Sequence, residues 1–222
     1  RRMSESPDPT FLLTAEDVRV YFPVRAGLLL RQTATVKAVD GVSMQIGAGE
    51  TVGLVGESGC GKSTFAKAVV RLLEPDGGVI KFDGHDITHR SPRSLRPLRR
   101  EMQMVFQDPV ESLNPRQSVR QIIEEPLVIH GEGGREERRK RVDELLAQVG
   151  LPSNSAEKFS FEFSGGQRQR IGIARAIALN PKFIVCDEPV SALDVSVQSQ
   201  IINLLLELQR ELGISYLFIA HD

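Results

Sequence analysis

Three glycines, a lysine and a serine fall together in "GESGCGKST", residues Gly56 to Thr64. Gly56, Gly59 and Gly61 let the backbone curl, so that successive N–H groups point inward at an anion. The spacing Gly-x-x-x-x-Gly-Lys-Ser follows an apolar run and precedes a helical pattern, the setting a phosphate-binding loop requires. The run Gly56, Glu57, Ser58, Gly59, Cys60, Gly61, Lys62, Ser63 and Thr64 is therefore the candidate binding set for a nucleoside triphosphate. The helix beginning near Lys62 adds the positive end of its dipole. Lys62 would reach the β- and γ-phosphates, and the Ser63 hydroxyl would ligate Mg2+.

A second carboxylate-bearing stretch, "FIVCDE", offers what phosphate chemistry needs next. An apolar run ends in Asp187, which at the carboxyl edge of a buried strand could hold Mg2+ directly or through water. Glu188 follows, placed to polarise a water against the γ-phosphate. Gln107 ends the strand pattern "MQMVFQ" and could reach the metal or the attacking water. His221 follows "LFIA" and could contact the γ-phosphate. Taken singly, Gln107 and His221 read as ordinary strand-end residues.

These side chains need strands and helices to hold them. "FLLTAEDVRVYF" (11–22) and "VKAVDGVSMQI" (36–46) have the Val and aromatic content of strands, with the intervening "PVRAGLLLRQTAT" as a loop. "TVGLV", "FIVCDE" and "SYLFIA" are short apolar runs of the buried parallel kind. "STFAKAVVRLL" places Phe65, Ala68, Val69 and Leu72 at helical spacing, with "EPDGG" as its stop. "GVIKFDGHDI" predicts a hairpin turning at Asp83-Gly84. From about 108 to 163 the pattern is helical and polar, with Val142, Leu145, Leu146 and Val149 on one helix face. The amphipathic run "VQSQIINLLLELQREL" separates the last two strands.

Composition narrows the classes. The chain has 222 residues, 41% of them hydrophobic, enough for one sizeable core or two smaller lobes. A formal net charge of −1 argues against a nucleic-acid partner held through its phosphates. The arginines 93, 96, 99 and 100 read as a solvated face. Cys60 and Cys186, the only two cysteines, lack metal-ligand spacing and are expected as reduced thiols. No apolar run approaches the ~20 residues that cross a bilayer. Residues 1–10 read as disordered or as an expression remnant, and 11–222 as one domain.

"FSGGQRQRIGIARAI", Phe163 to Ile177, closely resembles the signature sequence of ATP-binding cassette (ABC) ATPases, with Phe163 in place of the more usual leucine. The order of motifs is similar as well, over nearly the whole chain from Phe11. Gly56–Ser63 matches the Walker A loop, Gln107 the Q-loop and Ser164–Gln167 the signature. Asp187 and Glu188 match Walker B, Ser191–Asp194 the D-loop and His221 the H-loop. The resemblance implies an α/β fold of the P-loop NTPase class: a mixed core with a parallel sheet, an antiparallel β subdomain and a helical insertion at about 108–163. It also implies a dimer in which Ser164, Gly165, Gly166 and Gln167 cap the ATP of the other subunit, with Asp194 in the D-loop. An aromatic stacks on adenine, with Phe22 the first choice and Tyr21 the second. Metal ligation falls to Ser63, Gln107 and Asp187, with Glu188, His221 and Gln107 as the catalytic set.

"VKAVDGVS", "QDPVESLNPR", "IIEEPLVIHG" and "DEPVSALDVSVQSQI" look like the ATPase subunits of oligopeptide and dipeptide importers, although nickel, glutathione and opine importers are similar. The implied partners are a second ABC ATPase subunit, transmembrane permease subunits and, indirectly, a solute-binding protein. The implied location is the cytoplasmic face of the membrane. An ABC ATPase of DNA repair or translation is the alternative, but it calls for a long coiled coil, a zinc module or a second cassette. Family members continue past the position of Asp222, so a C-terminally truncated domain is expected.

Overall fold

A computed structural model describes residues 11–26, 31–108 and 112–221. The expectations for residues 1–10 and for the chain end at Asp222 lie outside them. The chain opens with β1 (Leu13–Ala26), β2 (Arg31–Ile46) and β3 (Thr51–Val55), followed by α1 (Lys62–Val69). A hairpin of β4 (Gly77–Phe82) and β5 (His85–Asp86) leads into α2 (Pro92–Arg99) and β6 (Met102–Val105). Then come α3 (Val119–His130), α4 (Arg135–Gln148) and, after two short 3-10 turns, α5 (Gly165–Ile177). The chain closes with β7 (Phe183–Asp187), α6 (Val195–Leu212) and β8 (Ser215–Ala220). No helix among the described residues is long and apolar enough to cross a membrane.

Two sheets result. One is antiparallel, in the order β2-β1-β4-β5; the other is parallel, in the order β3-β8-β7-β6. The parallel sheet has a core on each side, which is why β7 is buried at every position. Its Phe183 and Val185 face a core built from the antiparallel sheet and α1, where the rings of Phe82 and Phe183 lie 6.5 Å apart. Its Ile184 and Cys186 face a second core with side chains from α3 to α6. The twofold period of a strand thus divides one five-residue run between two cores.

The helices after β6 carry local signals that agree with their packing. Ser118 and Gln121 form a capping box at the start of α3, and Gly131, at φ 72°, ends it. Val142, Leu145 and Leu146 are buried along α4, and Gly150, at φ 71°, stops the chain from continuing. Arg120 ties α3 to α4 and to the turn beyond, reaching Asp143 at 3.3 Å and Glu157 at 2.8 Å.

Three local expectations are corrected. The stretch 23–35 is not simply a loop: β1 and β2 continue into it, with Pro23 opposite Thr35 and Val24 opposite Ala34. Cross-strand backbone bonds extend the ladder past the point where the strand-like composition stops. Helix α1 ends at Val69, short of the predicted "EPDGG" stop. There Arg71 turns left-handed, at φ 57°, and its buried guanidinium donates to the carbonyls of Ile87 and Leu73. Leu72, assigned to the apolar face, is consequently exposed. Finally, β6 ends at Val105, so Gln107 sits in the loop beyond the strand. The predicted hairpin at Asp83-Gly84 is present, both residues having the positive φ of its tight turn.

Candidate active site

The phosphate loop lies between β3 and α1 at the carboxyl edge of the parallel sheet, the side where open α/β folds bind ligands. Gly61 has φ 95°, and a Cβ there would stand 2.0 Å from the carbonyl oxygen of Ala38 on β2. Only glycine fits that close approach. Lys62, 7% exposed, folds back under the loop and donates to the carbonyls of Gly56 (2.6 Å) and Glu57 (2.7 Å). Its ammonium is therefore held against the loop by the loop's own carbonyls.

The neighbouring strands deliver the rest. Ser63, at the start of α1, donates its hydroxyl proton to Asp187 Oδ1 at 2.8 Å, across 124 residues of sequence. Glu188 is 5% exposed and left-handed at φ 47°. Its carboxylate is gripped from two sides: Gln107 Nε2 donates to Oε2 at 2.8 Å, and His221 Nε2 lies 2.7 Å from Oε1. A hydroxyl and one carboxylate form a sparse donor set for a metal, and no group of three or more His, Cys, Asp or Glu is clustered for one among the described residues. That scarcity fits a divalent ion such as Mg2+, which keeps waters and completes its octahedron with substrate phosphates.

A cavity of about 420 Å3 gathers Ser58 to Thr64, Gln107, Glu188 and His221. A neighbouring one of about 480 Å3 is lined by Ser63, Gln107 and Asp187 together with Lys67, Phe106 and Asp108. Four segments far apart in sequence thus converge here. Sequence reasoning missed Val36, Lys37 and Ala38, which also line the first cavity. Nothing in the type or spacing of these three marks them; only the close packing of β2 on Gly61 brings them there. Phe22 is 42% exposed and stands directly opposite Val36 in the ladder, on the face of a cavity-lining residue. Tyr21 is engaged elsewhere: its hydroxyl donates to Asp40, which also pairs with Lys37 at 3.1 Å. The hydroxyl and Lys37 hold the Asp40 carboxyl below its usual range.

The signature residues and Asp194 do not line this cavity. Ser164 caps α5, accepting from the Gln167 N–H at 3.4 Å, while Gln167 Oε1 accepts from the Ser164 N–H at 3.0 Å. Ser164, Gly165 and Gln167 are exposed, and Phe163 is buried in the helical core in the place of the usual leucine. The two glycines have a packing role that the sequence did not reveal. A Cβ on Gly166 would meet Val197 at 2.4 Å, and one on Gly165 would meet Leu193 at 3.2 Å. They let the start of α5 lie close against Leu193 and Val197 at the start of α6.

Residues 39–191 match the family model described as ABC transporter. The chain is 56% identical over 212 residues to the oligopeptide transport ATP-binding protein AppF of Bacillus subtilis, covering 95% of this chain and 64% of that protein. It is 54% identical over 211 residues to the glutathione import ATP-binding protein GsiA of Pectobacterium atrosepticum, covering 95% of this chain and 34% of that one. The chain therefore spans less than two thirds of these curated relatives. Among solved structures, the dimeric post-hydrolysis state of the ATP-binding cassette MJ0796 bound to ADP and Pi superposes with a TM-score of 0.82. It is 32% identical and covers 95% of this chain and 88% of that chain.

Proposed function

The chain belongs to the ABC transporter family, and from that premise we propose that it binds and hydrolyses ATP to power the import of peptides or a related small solute. The observation that carries this is the convergence on two adjoining cavities, which share Ser63 and Gln107, of the phosphate loop, the Ser63–Asp187 pair and the doubly held Glu188. Relatives named for oligopeptide transport and glutathione import support the solute class. Nothing in the fold favours a DNA-repair or translation ATPase.

In this reading the loop amides and Lys62 hold the β- and γ-phosphates, and Phe22 stacks on adenine. Ser63 and Asp187, with Gln107 at hand, would hold Mg2+, which neutralises charge on the phosphate oxygens. Glu188 takes up a proton from, or orients, the attacking water, with Gln107 and His221 fixing the direction of its carboxylate. Ser164 to Gln167 turn their amides toward the ATP of a second ATPase subunit, Asp194 lying in the adjoining loop. Permease subunits, supplied by a solute-binding protein, convert closure and reopening of that pair into transport at the cytoplasmic face of the membrane. The helical region of about 108–163, with α3 and α4, is read as the helical insertion of the cassette.

Glu188→Gln tests the assignment, because it keeps the shape and much of the hydrogen bonding but removes the base. In the full-length protein it should leave Mg-ATP binding intact and lower turnover by about 10²- to 10⁴-fold. Wild-type phosphate release by that variant would move the chemistry to another residue.

A further inference from the structure

We infer that Gln198, on the first turns of α6, is a positioning residue for Glu188: its side-chain amide braces the loop that fixes the geometry of that carboxylate. The inference rests on the hydrolytic reading of Glu188 given above and adds a residue to which no role in the site has been assigned.

Between β7 and α6 the chain makes a compact loop, Glu188 to Asp194. It starts with a strained residue, since a glutamate at φ 47° occupies a region that non-glycine side chains avoid. Such a conformation persists only where its surroundings over-determine it. Upstream, the Glu188 N–H donates to Ile219 of β8 at 3.2 Å, and the carboxylate is held by Gln107 and His221. Downstream, the loop holds itself by two turns, Ser191 N–H to Glu188 O at 3.2 Å and Leu193 N–H to Val190 O at 3.1 Å. The Ser191 hydroxyl adds a second bond to Glu188 O at 3.1 Å.

Gln198 closes this arrangement. Its Nε2 donates to the carbonyls of Val190 (3.1 Å) and Leu193 (3.0 Å), so its amide spans the second half of the loop. Gln198 is half-buried, and its own backbone N–H donates to Asp194 O at 2.9 Å, so the bracing group is itself anchored to a helix. From α6 the bonds reach the carbonyls of Val190 and Leu193, and Ser191, covalently next to Val190, carries the connection on to the Glu188 carbonyl. Without it, the Leu193 carbonyl loses this donor, the Val190 carbonyl keeps only the Leu193 N–H, and the strained residue is less firmly held. Outer partners that orient metal ligands are worth roughly 10- to 100-fold in activity, and an effect of that order is expected here because small misplacements of reacting groups are costly.

The test uses the full-length protein and the variants Gln198→Glu and Gln198→Arg. Glutamate keeps the size but turns the donor into an acceptor facing two carbonyls; arginine keeps N–H donors at that reach. Gln198→Glu should lower kcat by about tenfold or more, with KM for ATP, nucleotide affinity and Tm little changed, and Gln198→Arg should recover most of the loss. Wild-type kcat in Gln198→Glu overturns the inference. So does a fall in kcat accompanied by an equal loss of ATP affinity and Tm, which would mark a merely structural residue. Glu188→Gln, measured alongside, separates the two ideas. If it abolishes turnover while Gln198→Glu does not, only the bracing role fails; if it hydrolyses normally, both fail.

Discussion

At the scale of single residues, the site is a set of close approaches that leave little freedom of substitution. Gly61 meets a β2 carbonyl where any side chain would clash, and Lys62 is fastened by two carbonyls of its own loop. The two thiols illustrate how burial divides identical chemistry. Cys186 is fully buried and its pKa is pushed well up by desolvation, whereas Cys60 is exposed and lines the phosphate cavity. A thiolate is the reactive form, so an apolar site makes a cysteine inert. In the native described domain, a soluble alkylating reagent should modify Cys60 alone, and Mg-ATP should slow that modification; Cys186 should react only after denaturation. Peptide mass mapping with and without nucleotide checks both. Rapid native labelling of Cys186, or no protection of Cys60, would count against the assigned placement.

At the scale of elements, short sequence signals and long-range packing agree in some places and compete in others. The capped starts of α3 and α5 and the glycine stop after α4 rest on residues close together in the sequence. The end of α1 does not, because a buried guanidinium reaching across to the segment after β5 pulls Arg71 out of helical geometry. Helix α4 offers a direct measure of what packing contributes. Leu145 is fully buried among side chains of the helical core. Leu145→Ala should remove about 2–5 kcal/mol of stability through lost contacts and the cavity left behind. In a domain of this size that corresponds to a fall in Tm of roughly 4–20 °C. Since α4 contributes no residue to the phosphate cavity, ATP affinity below the transition should hold. Thermal unfolding with a nucleotide titration reads both, and an unchanged Tm would remove Leu145 from the core.

At the scale of the whole molecule, the outward-facing start of α5 is the surface proposed to meet a second subunit. Ser164→Arg should leave ATP binding by the single chain intact while abolishing hydrolysis in the assembled transporter, because the added bulk fills the space for the neighbour's γ-phosphate. Normal turnover with the change in both subunits would show that the signature completes no active site. Much of this site was legible beforehand. A glycine loop between strand and helix, and carboxylates closing an apolar run, are local patterns, and local patterns survive in one dimension because backbone conformation and strand burial act on neighbouring residues. The parallel strands, the Asp83-Gly84 hairpin and the helices after β6 were determined by the sequence in that way. Tertiary structure alone decided that Ser63 touches Asp187, that Gln107 and His221 take opposite oxygens of Glu188, and that Val36, Lys37 and Ala38 join the cavity. It also decided that Gly166 makes room for Val197. Those contacts join residues tens to more than a hundred positions apart. Their existence depends on strand order and on which core each face of a strand buries, and neither is encoded in the spacing of nearby residues.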